Sequence, residues 1–354
     1  MPVQKKKTRK RKLLLFLLLI IFAIIAYVQL FYKPRQVDSG LFKTARELTG
    51  HTNEIWVAKF SPGDSLVASG SVDSTVKVWR KSDGVLLHNP EHPAGVTYLQ
   101  FSNDGSYLVT CSYDGKVRLW RLSDEKLVRE FTGHQGTVWT VDISADGKRI
   151  ASAGEDNTIK IWNAETGNLV FNLKGHSRNI WSVKISPDGT QLVSGSFDAK
   201  LKLWDLQKGT LIKTLDGHSE AIVAVNYSHD GKTIASTSDD KTVKLWNSTS
   251  GALIKTLRDG NEHVQAVTFS PDDKWLICSG RDKPAIGEFL QNFFGDSHFN
   301  KGISMRLWDI GSGKVLQTFS EHANDVNDVD FSADGNWIVS ASSDKTLCLW
   351  KKAK

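Results

Sequence analysis

Apolar residues in this chain come in short bursts separated by polar turns. "IWSVKIS" (Ile180–Ser186), "QLVSGS" (Gln191–Ser196) and "KLKLWD" (Lys200–Asp205) follow one another. Each has the length of a strand and is rich in β-branched and aromatic residues. Between bursts stand hairpin-turn signals of the Asp-Gly type: "SADG" at Ser144 and Ser332, "SPDG" at Ser186, "SHDG" at Ser228. A further burst, such as "LVREFTG" (Leu127–Gly133), leads into the next group. The pattern predicts groups of four antiparallel strands.

The groups repeat. A Leu/Val/Ile-Trp pair recurs at Trp79, Trp120, Trp162, Trp204, Trp246, Trp308 and Trp350, with spacings of 41, 42, 42, 42, 62 and 42 residues. Six residues before the tryptophan stands Asp73, Asp114, Asp156, Asp198, Asp240 or Asp344. In the sixth copy Asp282 lies 26 residues ahead of Trp308, so that copy holds an insertion of 20 residues. A Gly-His or Glu-His pair opens six units, at His51, His92, His134, His176, His218 and His322. Seven four-stranded units of about 42 residues predict an all-β, seven-bladed β-propeller.

Gly-His, Asp and Leu-Trp-Asp/Asn/Arg in fixed order resemble the WD40 repeat family, from Leu41 to the end of the chain. The resemblance implies a hydrogen-bonded tetrad in each blade, which in blade four is His176, Ser194, Asp198 and Trp204. The residue types suit that role: a carboxylate orients an imidazole, a hydroxyl relays, and an indole N–H needs an acceptor. A network repeated around a ring builds blades rather than one active site.

The seventh unit lacks an outer strand after "TLCLWKKAK". "LFKTARELTG" (Leu41–Gly50) looks like "LIKTLDG" (Leu211–Gly217), the outer strand ahead of the fifth histidine. Leu41–Leu48 should therefore pair with Thr346–Trp350 and close the ring, removing two sheet edges.

Charge alters the picture only at the N-terminus. The chain carries +6 overall, but residues 1–35 hold nine Lys/Arg and no acid, leaving 36 basic against 39 acidic side chains, a net of −3. A near-neutral propeller argues against a nucleic-acid partner. Residues 1–12 read as a basic cytoplasmic tail. "LLLFLLLIIFAIIAYVQLFY" at 13–32 has no charge and the length of a membrane span, about 30 Å. A cleaved signal peptide fits less well, because the apolar run continues past Ala23 and Ala26. The expectation is an uncleaved signal-anchor helix, a linker over 33–40 and the propeller over 41–354. The positive-inside rule then puts the propeller on the periplasmic or exoplasmic side.

Catalytic motifs are missing: no Gly-x-Ser-x-Gly elbow, no His-Glu-x-x-His and no phosphate-binding Gly-rich loop. No cofactor, metal or catalytic residue is expected. The reading is a scaffold for protein partners; the alternative is a periplasmic or lumenal enzyme, or a ligand-binding propeller, that uses the central channel. In this family one face often binds partner segments. Of two positions per blade there, at least one is aromatic in each of blades one to four, which singles out Trp56, Tyr113, Trp139, Trp181 and Phe197. The insertion (284–303) adds Phe289, Leu290, Phe293 and Phe294, spaced for one side of a short helix. That helix is expected over the same face, covering its own ring or meeting a partner.

Overall fold

In each unit a hairpin turn holds the first two strands together. In blade four, Ser186 Oγ donates to Asp188, and the backbone amide of Gln191 donates back to Ser186 Oγ. Gly189, at φ +70°, supplies the left-handed residue the turn requires. The same Ser/Asp turn recurs at Ser102, Ser144, Ser228, Ser270 and Ser332. Local chemistry thus fixes the register before any blade packs on its neighbour.

The computed structural model describes residues 16–23, 36–258, 263–280 and 302–353. Seven four-stranded antiparallel sheets are formed among these residues. Their innermost strands, such as Ile55–Phe60, Val138–Ile143 and Ile180–Ile185, line a central channel, and each packs beside the next in ring order. Between blades lie the apolar cores. Trp204, for example, packs with Ile159, Leu173, Ile180 and Leu192, which belong to blades three and four.

The ring closes with a strand from the other end of the sequence. Phe42–Leu48 pairs antiparallel with Leu347–Lys352, and Leu48 stands opposite Leu347. Phe42 is buried edge-on against Trp275 and Phe331. Gln317, in the outer strand of blade six, grips both backbone groups of Phe42: its Oε1 accepts from N–H at 2.9 Å and its Nε2 donates to C=O at 2.7 Å. Val37, expected in a linker, is bonded to Thr318 of the same strand. Asp64, at φ +56°, pins the next seam, blade one to blade seven, by accepting the amides of Ala333 and Asp334.

The expected membrane anchor is corrected here. Among the described residues no helix is long and apolar enough to cross a membrane. The described helical residues there are 16–23, about 12 Å by helical rise, against about 30 Å of hydrocarbon. An apolar run predicts burial somewhere, but only a continuous helix can satisfy its backbone across lipid. The assignment of the propeller to the periplasmic or exoplasmic side depended on that helix and falls with it. The other residues of 13–32 lie outside the described residues.

Candidate functional site

Each innermost strand carries a β-bulge at its second residue, where the register with the next strand slips by one. A bulge re-aims one side chain out of the alternation. The bulge residues are Trp56, Thr97, Trp139, Trp181, Val223, Gln265 and Asn327, one per blade around the channel mouth. Thr97 and Asn327 turn back and donate to main-chain oxygens of the next blade, Val138 and Ile55. The three tryptophans have no such bond and spread across the opening.

There they meet. Trp139 stacks on Trp181 with ring centroids 5.2 Å apart and planes 20° from parallel. Trp56 reaches both, at 5.9 and 6.4 Å. Tyr113 stands edge-on to Trp56 and Trp139, and Phe197 abuts Trp181 at 5.1 Å. All five aromatic residues singled out in blades one to four therefore form one continuous plate. Its members are half-buried, and Phe197 is 37% exposed. The indole N–H groups of all three tryptophans are buried without a protein acceptor. Phe289, Phe293 and Phe294 of the insertion lie outside the described residues.

Beneath the plate the channel holds a cavity of about 310 Å³ with a polar wall. Lys59 pairs with Asp328 at 2.6 Å and Lys184 with Asp142 at 3.1 Å. Both ammonium groups sit over the Tyr98 ring, at 5.4 and 5.6 Å. Burial works to lower the Lys59 ammonium, yet the carboxylates of Asp328 and Asp330 and the Tyr98 phenol carry it well above the ordinary lysine range. Burial pushes the Asp330 carboxyl up to about 6, against the pull of Lys59. Asp328 and Asp330 also accept the amides of Ala58 and Phe60, and Asp142 that of Ile185. The charges thus stitch blade seven to one and blade three to four. Sequence reading missed this network. Its signal was a charged residue inside otherwise apolar strands: "VAKF", "TVDI", "SVKI" and "DVDF".

On the outer side of each blade lies the tetrad. In blade four His176 Nδ1–H donates to Asp198 at 2.8 Å. That leaves Nε2 to accept from Ser194, 2.7 Å away, while Trp204 Nε1–H donates to the same serine oxygen at 2.9 Å. Burial raises the Asp198 carboxyl, but His176 and the Ser177 amide outweigh it and hold it down at about 2. The glycine ahead of the histidine has a steric reason: a Cβ on Gly175 would lie 2.9 Å from Trp204 Cη2. Blades one, three, five and seven repeat the His–Asp bond.

Two blades depart from it. In blade two Arg118 takes Asp114, at 2.5 Å, and leaves His92 Nδ1 buried without a partner. Burial, then the nearby Arg118 charge, lowers His92 to about 4. In blade six Trp308 Nε1 points at the thiol of Cys278, 3.3 Å away. Cys111 and Cys348 are likewise buried, and burial pushes both thiols up to about 12, so they are inert at neutral pH. Among the described residues no group of three or more His, Cys, Asp or Glu could hold a metal ion.

Comparison with known proteins agrees with this geometry. The family described as "WD domain, G-beta repeat" matches residues 42–80, 84–121, 125–163, 167–205, 209–247, 251–283 and 313–351. Similar curated proteins include subunit I of eukaryotic translation initiation factor 3 from Pyricularia oryzae, 38% identical over 55 residues, which are 16% of each chain. Human WD repeat-containing protein 36 is 33% identical over 70 residues, 20% of this chain and 7% of its own length. Human WD repeat and SOCS box-containing protein 1 is 45% identical over 47 residues, 13% of this chain and 11% of its own length. The alignments span only a small part of each relative. With seven matched repeats, seven blades and the tetrad geometry in place, the chain belongs to the WD40 repeat family.

Proposed function

We propose that this propeller is a protein-interaction scaffold whose channel mouth, at the plate of Trp56, Tyr113, Trp139, Trp181 and Phe197, holds a segment of a partner. One observation carries the reading: three tryptophans from three blades leave the sheet at bulges and gather where solvent reaches them. A side chain needed only for packing would lie between blades, as Trp204 does. Clustered, partly exposed aromatics mark binding surfaces. One of the similar proteins is by name a subunit, which accords with a propeller that works by assembly.

The channel is the second reading, favoured by the cavity under the plate. Its charged groups are paired with one another, which suits a structural staple better than a reaction centre.

Cross-linking mass spectrometry on the tagged chain in its own cells tests the scaffold reading. Trp181→Ala should reduce recovery of the main partner about tenfold or more at unchanged protein level, since a central aromatic contributes roughly 2 kcal/mol. Equal recovery from wild type and variant would overturn the assignment of the mouth.

A further inference from the structure

The positions that flank the plate most closely are rich in carboxylates. The residue before each tetrad aspartate is bonded, amide to carbonyl, to the residue before the inner strand: Glu155 to Thr137 and Asp239 to Ala221, for example. These paired positions form the inner rim of the mouth. Glu54 stands there in blade one, Glu155 in blade three, Asp239 in blade five and Asp325 in blade seven. Glu220 adds a fifth carboxylate next to Ala221. Among the described residues the basic side chains of the same turns are Arg178 and His263, with Lys116, Lys200, Lys241 and Lys345 one or two residues past the tetrad aspartates; Lys116 and Lys200 are drawn away to Glu130 and Asp216.

The acids interact with the plate and with each other. Burial raises the Tyr113 phenol, and the neighbouring Glu54 raises it further. Burial also raises Asp239, and the charges of Glu220 and Asp240 add to it while His263 opposes. Glu155 accepts the Thr137 amide and so is held at the rim. A ligand with phosphates or carboxylates would meet repulsion here. A cation would meet carboxylates at the edge and the faces of indole rings at the centre, the two environments that favour it.

We propose that the mouth takes a basic peptide segment, with an arginine or lysine side chain lying over the Trp139–Trp181 stack and the carboxylates of Glu54, Glu155 and Asp239 facing the partner's positive charge. This rests on the mouth being the binding surface, as argued above. Arginine suits it best, because a planar guanidinium stacks on indole while its edge donates to carboxylates. Net charge does not make this choice, since the propeller is near neutral overall; the carboxylates at the paired positions beside the indoles make it.

The test uses the full chain and three short labelled peptides that differ only in charge. One alternates Gly, Arg and Leu; the others carry Gln or Glu in place of Arg. Fluorescence anisotropy should show the Arg peptide binding about tenfold or more tighter than the Gln peptide, with the Glu peptide weakest. The triple variant E54Q/E155Q/D239N should cut that advantage to about threefold or less, and raised salt should do the same to wild type. W181A should weaken every peptide that binds. If Arg and Gln peptides bind equally, and W181A weakens both, the charge inference is overturned while the mouth stands. If W181A changes nothing, the mouth itself fails. If the Arg peptide binds only after the seven Lys/Arg at 5–12 are replaced by Gln, the chain's own basic segment is the occupant and a separate partner is ruled out.

Discussion

Arg118 and Asp114 form a buried pair in blade two, and that pair dissolves the blade's tetrad. The guanidinium stands where blades one, three, four and five carry Lys77, Lys160, Lys202 and Lys244. Each of those lysines reaches an oxygen on the outer strand instead, at Asn89, Asn172, Thr214 and Thr256. Arginine is longer and forked, so it holds Glu130 of the outer strand and Asp114 together. The cost falls on His92, whose Nδ1 has no acceptor.

Arg118→Lys should therefore free Asp114 for His92. The expected change in stability is within about 1 kcal/mol. The imidazole pKa, now about 4, should rise as the carboxylate comes to face it, which an NMR titration of His92 reads directly. Arg118→Ala should also free Asp114 but should be less stable than Arg118→Lys by about 1–2 kcal/mol, because it loses the packing of the long side chain and its hold on Glu130. An unchanged His92 titration in the lysine variant would sink this account.

The pH dependence of folding has two opposed contributors in one window. Asp330 titrates at about 6 when folded and near 3.9 when unfolded. The folded state holds that proton more tightly. Its contribution is full below about pH 4 and is lost as pH rises through about 6. His92 runs the other way: folded at about 4 and unfolded near 6.5, it contributes above that value and loses the contribution as pH falls. Asp330→Asn keeps an oxygen for the Phe60 amide and removes the titration. Stability of the variant should then climb more steeply than wild type between about pH 4 and 6.5. Urea midpoints across that range measure it, and parallel curves would refute the Asp330 assignment.

Closure of the ring should depend on Phe42. Its ring is 2% exposed, and Phe42→Ala should cost about 3–5 kcal/mol. Gln317→Ala removes both bonds to the Phe42 backbone and should cost about 1–3 kcal/mol. Chemical denaturation gives both values. A Phe42→Ala protein as stable as wild type would mean that the strand is dispensable.

Blades and closure were legible because both are written locally. A Trp, an Asp six residues before it and a Gly-His fix one unit, and "LFKT" matches "LIKT" whatever the rest of the chain does. The aromatic positions were legible too, because the repeat aligns Trp56 with Trp139 and Trp181. Their mutual contact was not. It joins blade one to blade four across a channel, through bulges that only the paired backbone reveals. The Lys59–Asp328 pair hid for the same reason, its members standing 269 positions apart. Arg118 looked like any polar strand residue until its reach to Asp114 could be measured.

Two tryptophans in the same blade should answer differently to truncation. Trp204 is 2% exposed, packs in the core between blades three and four, and donates to Ser194 in the tetrad. Removing it opens a cavity and orphans the serine–histidine relay, so Trp204→Ala should cost about 3–5 kcal/mol. Trp181 sits at a bulge over the mouth, its indole N–H unpartnered and its ring shared among Trp56, Trp139 and Phe197. Its loss removes three ring contacts at a half-exposed site, each near the low end of about 0.5–1.5 kcal/mol, relieves a donor without a protein acceptor and leaves the sheet bonds untouched. Trp181→Ala should then lower stability by about 2 kcal/mol or less, well short of the Trp204 variant. Urea denaturation of both variants decides it. A Trp181 variant as unstable as the Trp204 variant would show that the plate is a structural plug for the channel, and the binding surface would have to be sought elsewhere on the ring.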